Sequence, residues 1–201
     1  MKVKLDPRPY AIAARLSGIG KIFAVSGFKG GVGKSSVACL LSIAATDCGL
    51  KTGLLDLDFS GASCHLILGA NLGPEAAFPE EFEGLRPPEI HGIKLMSLAF
   101  FTHNRAVHLR GVAATDAVTE LLAVTNWGNL DILFMDMPPG ISDVALDVMR
   151  LIVDDSFAED KINPEHSACQ IYRTREFIRH DGRLYCLEAM ALWAWNRERT
   201  R

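Results

Sequence analysis

The 201-residue chain has no apolar stretch long enough to cross a bilayer; its longest, around Val37 to Ala45, is interrupted by Ser42. The opening MKVKLDPRPY lacks the apolar core of a secretory leader, so a cytoplasmic protein with no transmembrane segment is expected. Excess positive charge is missing as well. Lys and Arg total 21 against 24 Asp and Glu, a formal net charge of -3, and no nucleic-acid partner is expected from bulk electrostatics. Cysteine is sparse and scattered: Cys39, Cys48, Cys64, Cys169 and Cys186 form no C-x-x-C pair and no tight cluster. That pattern fits reduced thiols better than a disulfide framework. Wholesale disorder is excluded by a 49% hydrophobic composition, and the length suits one sizeable core.

What is present is an alternation of short apolar runs with helical periodicity. Residues 1–20 read as a lead-in in which Pro7 and Pro9 prevent regular structure. Ile22 to Val25 reads as a buried strand. Lys34 to Cys48 reads as a helix with Val37, Leu40, Leu41, Ala44, Ala45 and Cys48 on one face, and Gly49 stops it. Gly53 to Leu57 is a second strand, Asn71 to Pro88 a loop or insertion, and Ile93 to Leu98 a third strand. Asp116 to Val124 reads as a helix with Val118, Leu121 and Leu122 inward, and Leu130 to Met135 as a strand delivering Asp136. Nearly all-apolar strands separated by helices predict an α/β fold with a mostly parallel sheet covered on both faces.

The stretch SGFKGGVGKSS, Ser26 to Ser36, sets a glycine-rich turn between the first strand and the following helix. Glycines let successive backbone N–H groups point into one concavity, and the helix N-terminus adds partial positive charge, an arrangement that cradles phosphate. Lys29, Gly30, Gly31, Val32, Gly33, Lys34, Ser35 and Ser36 are the candidate nucleotide-binding residues. Lys34 is placed to reach the β- and γ-phosphates, and the Ser35 hydroxyl to ligate Mg²⁺, a cation that prefers oxygen. Phe28 stands where the strict G-x-x-x-x-G-K-[ST] pattern has its first glycine, and an extra lysine, Lys29, precedes the glycine pair.

Two acidic strand ends support the loop. LLDLDFSG puts Asp56 and Asp58 two residues apart, on one side of the strand, at the sheet end where parallel folds bind ligands. Together they suit holding Mg²⁺ water and orienting an attacking water. LDILFMDMPPG ends a strand on Asp136, a carboxylate near Mg²⁺ directly or through water, before the stiff turn Pro138-Pro139-Gly140, whose glycine N–H is a candidate γ-phosphate sensor. Asp143 reads as a cap for the next helix. Arg110 reads equally as a phosphate or partner contact and as a surface arginine. His65, His91, His103 and His108 show no metal-ligand spacing.

The variant loop resembles those of the deviant Walker A ATPases, the group of the MinD, ParA and Mrp families. RLSGIGKIFAVSGFKGGVGKSS, GLLDLDFSGAS, GIKLMSLAFF and WGNLDILFMDMPPGISD look like successive blocks of the Mrp family, over about residues 15–150. The resemblance implies a P-loop NTPase three-layer fold and a slow Mg²⁺-dependent ATP hydrolase. It also implies a homodimer in which Lys29 reaches the partner's nucleotide, with Lys29, Lys34 and Asp58 as catalytic residues. Iron–sulfur clusters are the implied cargo, with iron–sulfur or metalloprotein clients. The sequence departs from the family where residues 62–65 read Ala-Ser-Cys-His in place of a Gly-Pro-Ser run, and in lacking the family's C-x-x-C cluster ligands.

Beyond about residue 150 the resemblance stops, and seven of the thirteen arginines fall after Gln170. The expected organisation is a nucleotide-binding domain over 1–150 and an atypical tail over 151–201, helical or mobile, leaving the sheet incomplete at its C-terminal end. Two other functions compete: a ParA/MinD-like positioning switch, which the apolar and aromatic stretch Leu184 to Trp195 would serve as an interfacial segment, and a truncated member with weak nucleotide binding and no cluster transfer.

Overall fold

The structure is a computed structural model that describes residues 6–27, 29–59, 61–70, 78–102, 109, 111–140, 143–153, 177–178 and 184–188. Its elements in chain order are α1 (Arg8–Leu16), β1 (Ile19–Ser26), α2 (Lys34–Asp47), β2 (Thr52–Asp56), α3 (Cys64–Ile67), β3 (Glu80–Glu81) and β4 (Leu85–Arg86). There follow β5 (Glu89–Ile90), β6 (Ile93–Ser97), α4 (Ala99–Thr102), α5 (Val112–Val124), β7 (Leu130–Asp136), α6 (Asp143–Val153), β8 (Phe177–Ile178) and β9 (Leu184–Glu188).

Seven strands form one sheet in the order β5-β6-β2-β7-β1-β9-β8. The central five run parallel, and the short β5 and β8 pair antiparallel at the two ends. The sheet is covered on both faces, as its apolar strands predict. Because side chains alternate along a strand, neighbours serve different cores. Leu55 and Met135 join α1, α5 and α6 residues such as Ile12, Val118, Leu122 and Val148 in one cluster. Leu54 and Phe134 join Ala38 and Cys39 of α2, Cys64 of α3 and Phe100 in the other. All five residues of β2 are buried. Each fully buried Leu or Met side chain contributes roughly 1.5–3 kcal/mol from burial, so these two layers dominate the fold's stability.

The two prolines near the start do not block structure; they open α1. Pro7 is its N-cap residue and Pro9 lies in the first turn, where a missing N–H costs nothing because no intrahelical acceptor awaits it. Ile12, 1% exposed, anchors the helix in the core, while Arg8 reaches Asp6 and, at 3.1 Å, Asp116 of α5.

α2 forms where expected, and Gly49, at φ +83°, follows its C-terminus in the left-handed conformation that glycine adopts freely. Its inward face matches the expected one in part, since Val37, Leu41 and Ala45 pack against the core. Lys34, Ala38, Cys39 and Ser42 are buried, while Leu40 is 63% exposed and Ala44 and Cys48 face outward. The close approach of the phosphate loop fixes the rotation: Lys34 must point toward the sheet end, and the rest of the helix follows at 3.6 residues per turn.

Leu184–Glu188, expected within a helical or mobile tail, is a strand. β9 pairs parallel with β1, from Ile22 opposite Leu184 to Ser26 opposite Glu188. The physical reason is the neighbouring edge: β1 has a second row of N–H and C=O groups to satisfy, and the Leu-Tyr-Cys-Leu composition suits a strand there. The remaining tail expectations, including those for Cys169 and Trp195, fall outside the described residues, as do Phe28, His103, His108 and Arg110.

Candidate nucleotide site

The sheet places the site. β1, β2 and β7 end together: Val25 is the register partner of Asp136, and Asp56 is its partner on the other side. Backbone bonds continue the pairing past the strand ends, with the Met137 N–H donating to the Val25 carbonyl at 3.0 Å and the Leu57 N–H to the Asp136 carbonyl at 2.9 Å. Both acidic ends are therefore fixed beside the turn that leaves β1.

That turn runs into α2. Gly31 and Gly33 have φ of +74° and +90°, conformations in which a side chain would be strained. Gly33 is the N-cap of α2, and no side chain caps the helix there, so the first-turn N–H groups have no capping oxygen. A cleft of about 320 Å³ opens above them, lined by Gly30, Gly31, Gly33, Lys34, Ser35, Ser36, Asp58, Gly61, Ser63, Ile67 and Pro139. Lys34 is only 6% exposed. A buried cation over a helix N-terminus makes the cleft an anion site.

The expected residues divide into three groups. Gly30, Gly31, Gly33, Lys34, Ser35, Ser36, Asp58 and Pro139 line the cleft together. Lys29 is exposed and, with Val32, stands outside the lining. Gly140 also stands outside it, and its N–H donates to the Gly27 carbonyl at 3.1 Å, so in this structure that N–H ties the Pro-Pro-Gly turn to the phosphate loop. Asp143 is the first residue of α6.

The two strand-end carboxylates, Asp56 and Asp136, are register partners and are not part of the cleft lining. Both are fully buried. Asp56 Oδ1 accepts the Asp58 N–H at 3.1 Å, and Oδ2 accepts the N–H groups of Ser63 and Cys64, each at 3.1 Å. Three backbone donors thus tie Asp56 to the loop that carries Asp58. Burial, then the charge of Asp136, pushes the Asp56 carboxyl up to about 7 against the opposing effect of those bonds. Asp136 is also raised by burial, while the Ser35 hydroxyl, the Cys64 thiol and Lys34 pull it back down. Its Oδ2 accepts the Cys64 thiol at 3.4 Å, whereas its Oδ1 is buried with no hydrogen-bond partner among the described residues.

Cys64 is the site residue that sequence reasoning missed. The neighbouring Cys39 thiol, burial and the two carboxylates all hold the Cys64 thiol in its protonated form. Its signal lay in the Ala-Ser-Cys-His departure at 62–65, which brings a sulfur onto Asp136, while the neighbouring Gly61, Ser63 and Ile67 line the cleft.

A family description, ParA: NUBPL iron-transfer P-loop NTPase, matches residues 18–161. The chain belongs to this family. Among ParA/NUBPL relatives, the iron-sulfur cluster carrier protein of Aquifex aeolicus is 39% identical over 141 residues, 69% of this chain and 38% of that protein. The iron-sulfur cluster transfer protein NUBPL of Dictyostelium discoideum is 35% identical over 146 residues, 72% of this chain and 45% of that one. A solved structure, the nucleotide-binding protein of Archaeoglobus fulgidus in complex with ADP, matches with a TM-score of 0.60 and 36% identity, covering 71% of this chain and 54% of that one. The chain thus spans less than half the length of these two curated relatives. The three-layer P-loop architecture inferred from the sequence is the architecture of this family.

Proposed function

We propose that the chain is a Mg-ATP-binding P-loop ATPase that works as a nucleotide-dependent homodimer in carrying or assembling iron–sulfur clusters. The observation that carries this reading is the cleft itself, about 320 Å³, where the N-terminus of α2, a glycine-rich backbone and the nearly buried Lys34 share one lining with Asp58. Membership of an iron-transfer family and relatives named as iron–sulfur carriers favour this reading over a positioning switch. Residues 1–150 hold the nucleotide-binding residues. No cysteine is assigned to a cluster, since the chain has no C-x-x-C pair. Among the described residues no helix is long and apolar enough to cross a membrane. Cys39, Cys48 and Cys64 are free thiols, which suits the expected cytoplasmic location.

The roles follow from placement. Loop N–H groups and Lys34 bind the β- and γ-phosphates and draw charge from them as it develops. Asp58, at the cleft wall, orients the attacking water. Asp56 acts on Asp58 through the backbone of its loop. Lys29, exposed and outside the lining, supplies its charge to the nucleotide of a second protomer. A hard divalent cation fits the donor set, because Asp136 keeps one buried oxygen without a partner, with the Ser35 hydroxyl close to the same carboxylate. Ser35 and Asp136 would hold Mg²⁺, directly or through water, and the ion when bound neutralises phosphate charge.

The test is nucleotide binding and oligomeric mass measured on one sample, with and without Mg-ATP. Binding accompanied by a doubling of mass is expected. A protein that is folded yet binds no ATP in the presence of Mg²⁺ overturns the reading.

A further inference from the structure

We propose that Cys64, Asp56 and Asp136 form a buried thiolate–dicarboxylate site for one thiophilic divalent cation, such as Zn²⁺, Co²⁺ or Fe²⁺, next to the nucleotide cleft, whose lining residues Asp58 and Ser63 donate their N–H groups to Asp56. One donor atom from each lies within 4.8 Å of the others, and all three residues are buried. Bonds of about 2.0–2.3 Å require donors no more than roughly 4.5 Å apart, so small side-chain rotations close the set.

The donor inventory is favourable. A carboxylate offers about four lone-pair positions. Asp56 spends three on the N–H groups of Asp58, Ser63 and Cys64, which leaves one. Asp136 has the Cys64 thiol on Oδ2 and the Ser35 hydroxyl close by, and its Oδ1, fully buried, has no hydrogen-bond partner among the described residues. That oxygen, in a side chain with no exposure, marks a place where a ligand belongs. The one hydrogen bond that Asp136 accepts from Cys64 runs through the proton that a metal displaces: Cys64–SH and M²⁺ give Cys64–S⁻ bound to M²⁺, and the proton leaves to solvent.

Charge points the same way. Asp56 and Asp136 are register partners on adjacent strands, and no ion pair to either is formed among the described residues. Lys34 relieves Asp136 alone, and two buried carboxylates held together favour a further cation between them. Oxygen donors alone suit Mg²⁺; a thiolate among them shifts preference toward softer ions. Cys64 is thus a determinant of which metal the site accepts. The site requires the fold and no nucleotide, so it goes beyond the ATPase reading.

Cobalt reports thiolate ligation directly. The reduced full-length chain, titrated with Co²⁺ alone, should develop a sulfur-to-cobalt charge-transfer band that saturates at one equivalent, is displaced by equimolar Zn²⁺ and withstands a large excess of Mg²⁺. Cys64→Ser should lose the band, while Cys48→Ser keeps it. Should Cys64→Ser fail to fold, as judged by circular dichroism, Asp136→Asn gives the second test, with cobalt affinity reduced by about tenfold or more. Absence of the band in the wild-type chain, its persistence in folded Cys64→Ser, or its ready displacement by Mg²⁺ overturns the site. ATP binding with Mg²⁺, measured on cobalt-free portions of the same preparations, separates the two readings. Binding without a cobalt band sinks only the thiolate site, and a band without binding sinks only the ATPase.

Discussion

Asp56 and Asp136 are opposite one another at the carboxyl ends of β2 and β7, fully buried, and they hold unlike sets of partners. Asp56 is tied down by three backbone N–H groups, whereas Asp136 leaves one oxygen open. The same residue type in neighbouring register positions is therefore used differently: one carboxylate organises a loop, and the other keeps an oxygen without a hydrogen-bond partner among the described residues.

That division predicts distinct losses. Asp136→Asn should weaken Mg²⁺-dependent ATP binding, and Asp58→Asn should slow hydrolysis more than it weakens binding. Equilibrium binding and single-turnover hydrolysis on both variants separate the effects. Equal losses in both assays for both variants count against the assignment.

Lys34 is nearly buried over the start of α2, where its charge has little water to compensate it. Lys34→Ala should lower ATP affinity by at least about a hundredfold, the equivalent of ~3 kcal/mol for a lost charged hydrogen bond. Isothermal titration provides the check, and near-native affinity removes the phosphate-loop assignment.

Lys29 is exposed, and the cleft closes without it. Lys29→Ala should leave ATP binding largely intact and slow hydrolysis by roughly 10³–10⁵-fold, the range for a cation supplied to phosphoryl charge. Mixing it with Asp58→Asn should restore part of the turnover through mixed dimers. If both variants dimerise and the mixture stays inactive, Lys29 does not act in trans.

The raised carboxyl of Asp56 gives a pH dependence with a definite sign. Its folded value, about 7, lies well above that of an ordinary aspartate, so the native state binds the extra proton between the two. Stability of the metal-free protein is then highest at the acidic end of that window and falls as pH rises through 7. Thermal melts from about pH 5 to pH 8 should show this decline. Asp56→Asn should lower stability overall, because one N–H acceptor becomes an amide donor, yet flatten the slope. An unchanged slope in that variant assigns the decline to other groups.

Much of this site was legible in the chain because its signals are local. A phosphate-binding turn needs glycines at fixed offsets, and each acidic residue closes an apolar run, so spacing alone singles out Lys34, Ser35 and Asp58, which line one cleft, and Asp136 at the adjoining strand end. What failed was whatever depended on partners distant in sequence. The inner face of α2 is legible only in part because its apolar residues surround it almost evenly: Val37, Leu41 and Ala45 pack on the core, but the fully buried positions are Ala38, Cys39 and Ser42, and Leu40 is exposed. Pro7 and Pro9 read as breakers because a helix start is distinguished from a loop by the burial of Ile12. β9 was missed because five residues carry too little periodicity, and its place is set by β1. Cys64 drew no notice as one of several lone thiols until the fold brought it onto Asp136.

The strand order also sets a schedule for synthesis. β1 lies between β7 and β9, and Ile22 pairs with Leu184, a partner about 160 residues later in the chain. At roughly 5–20 residues per second, the strand that carries the phosphate loop emerges from the ribosome on the order of ten or more seconds before its second neighbour exists. For that interval one side of β1 offers unpaired backbone to any chain nearby, so a nascent-chain chaperone that covers this edge would govern yield more than any substitution in the finished cleft.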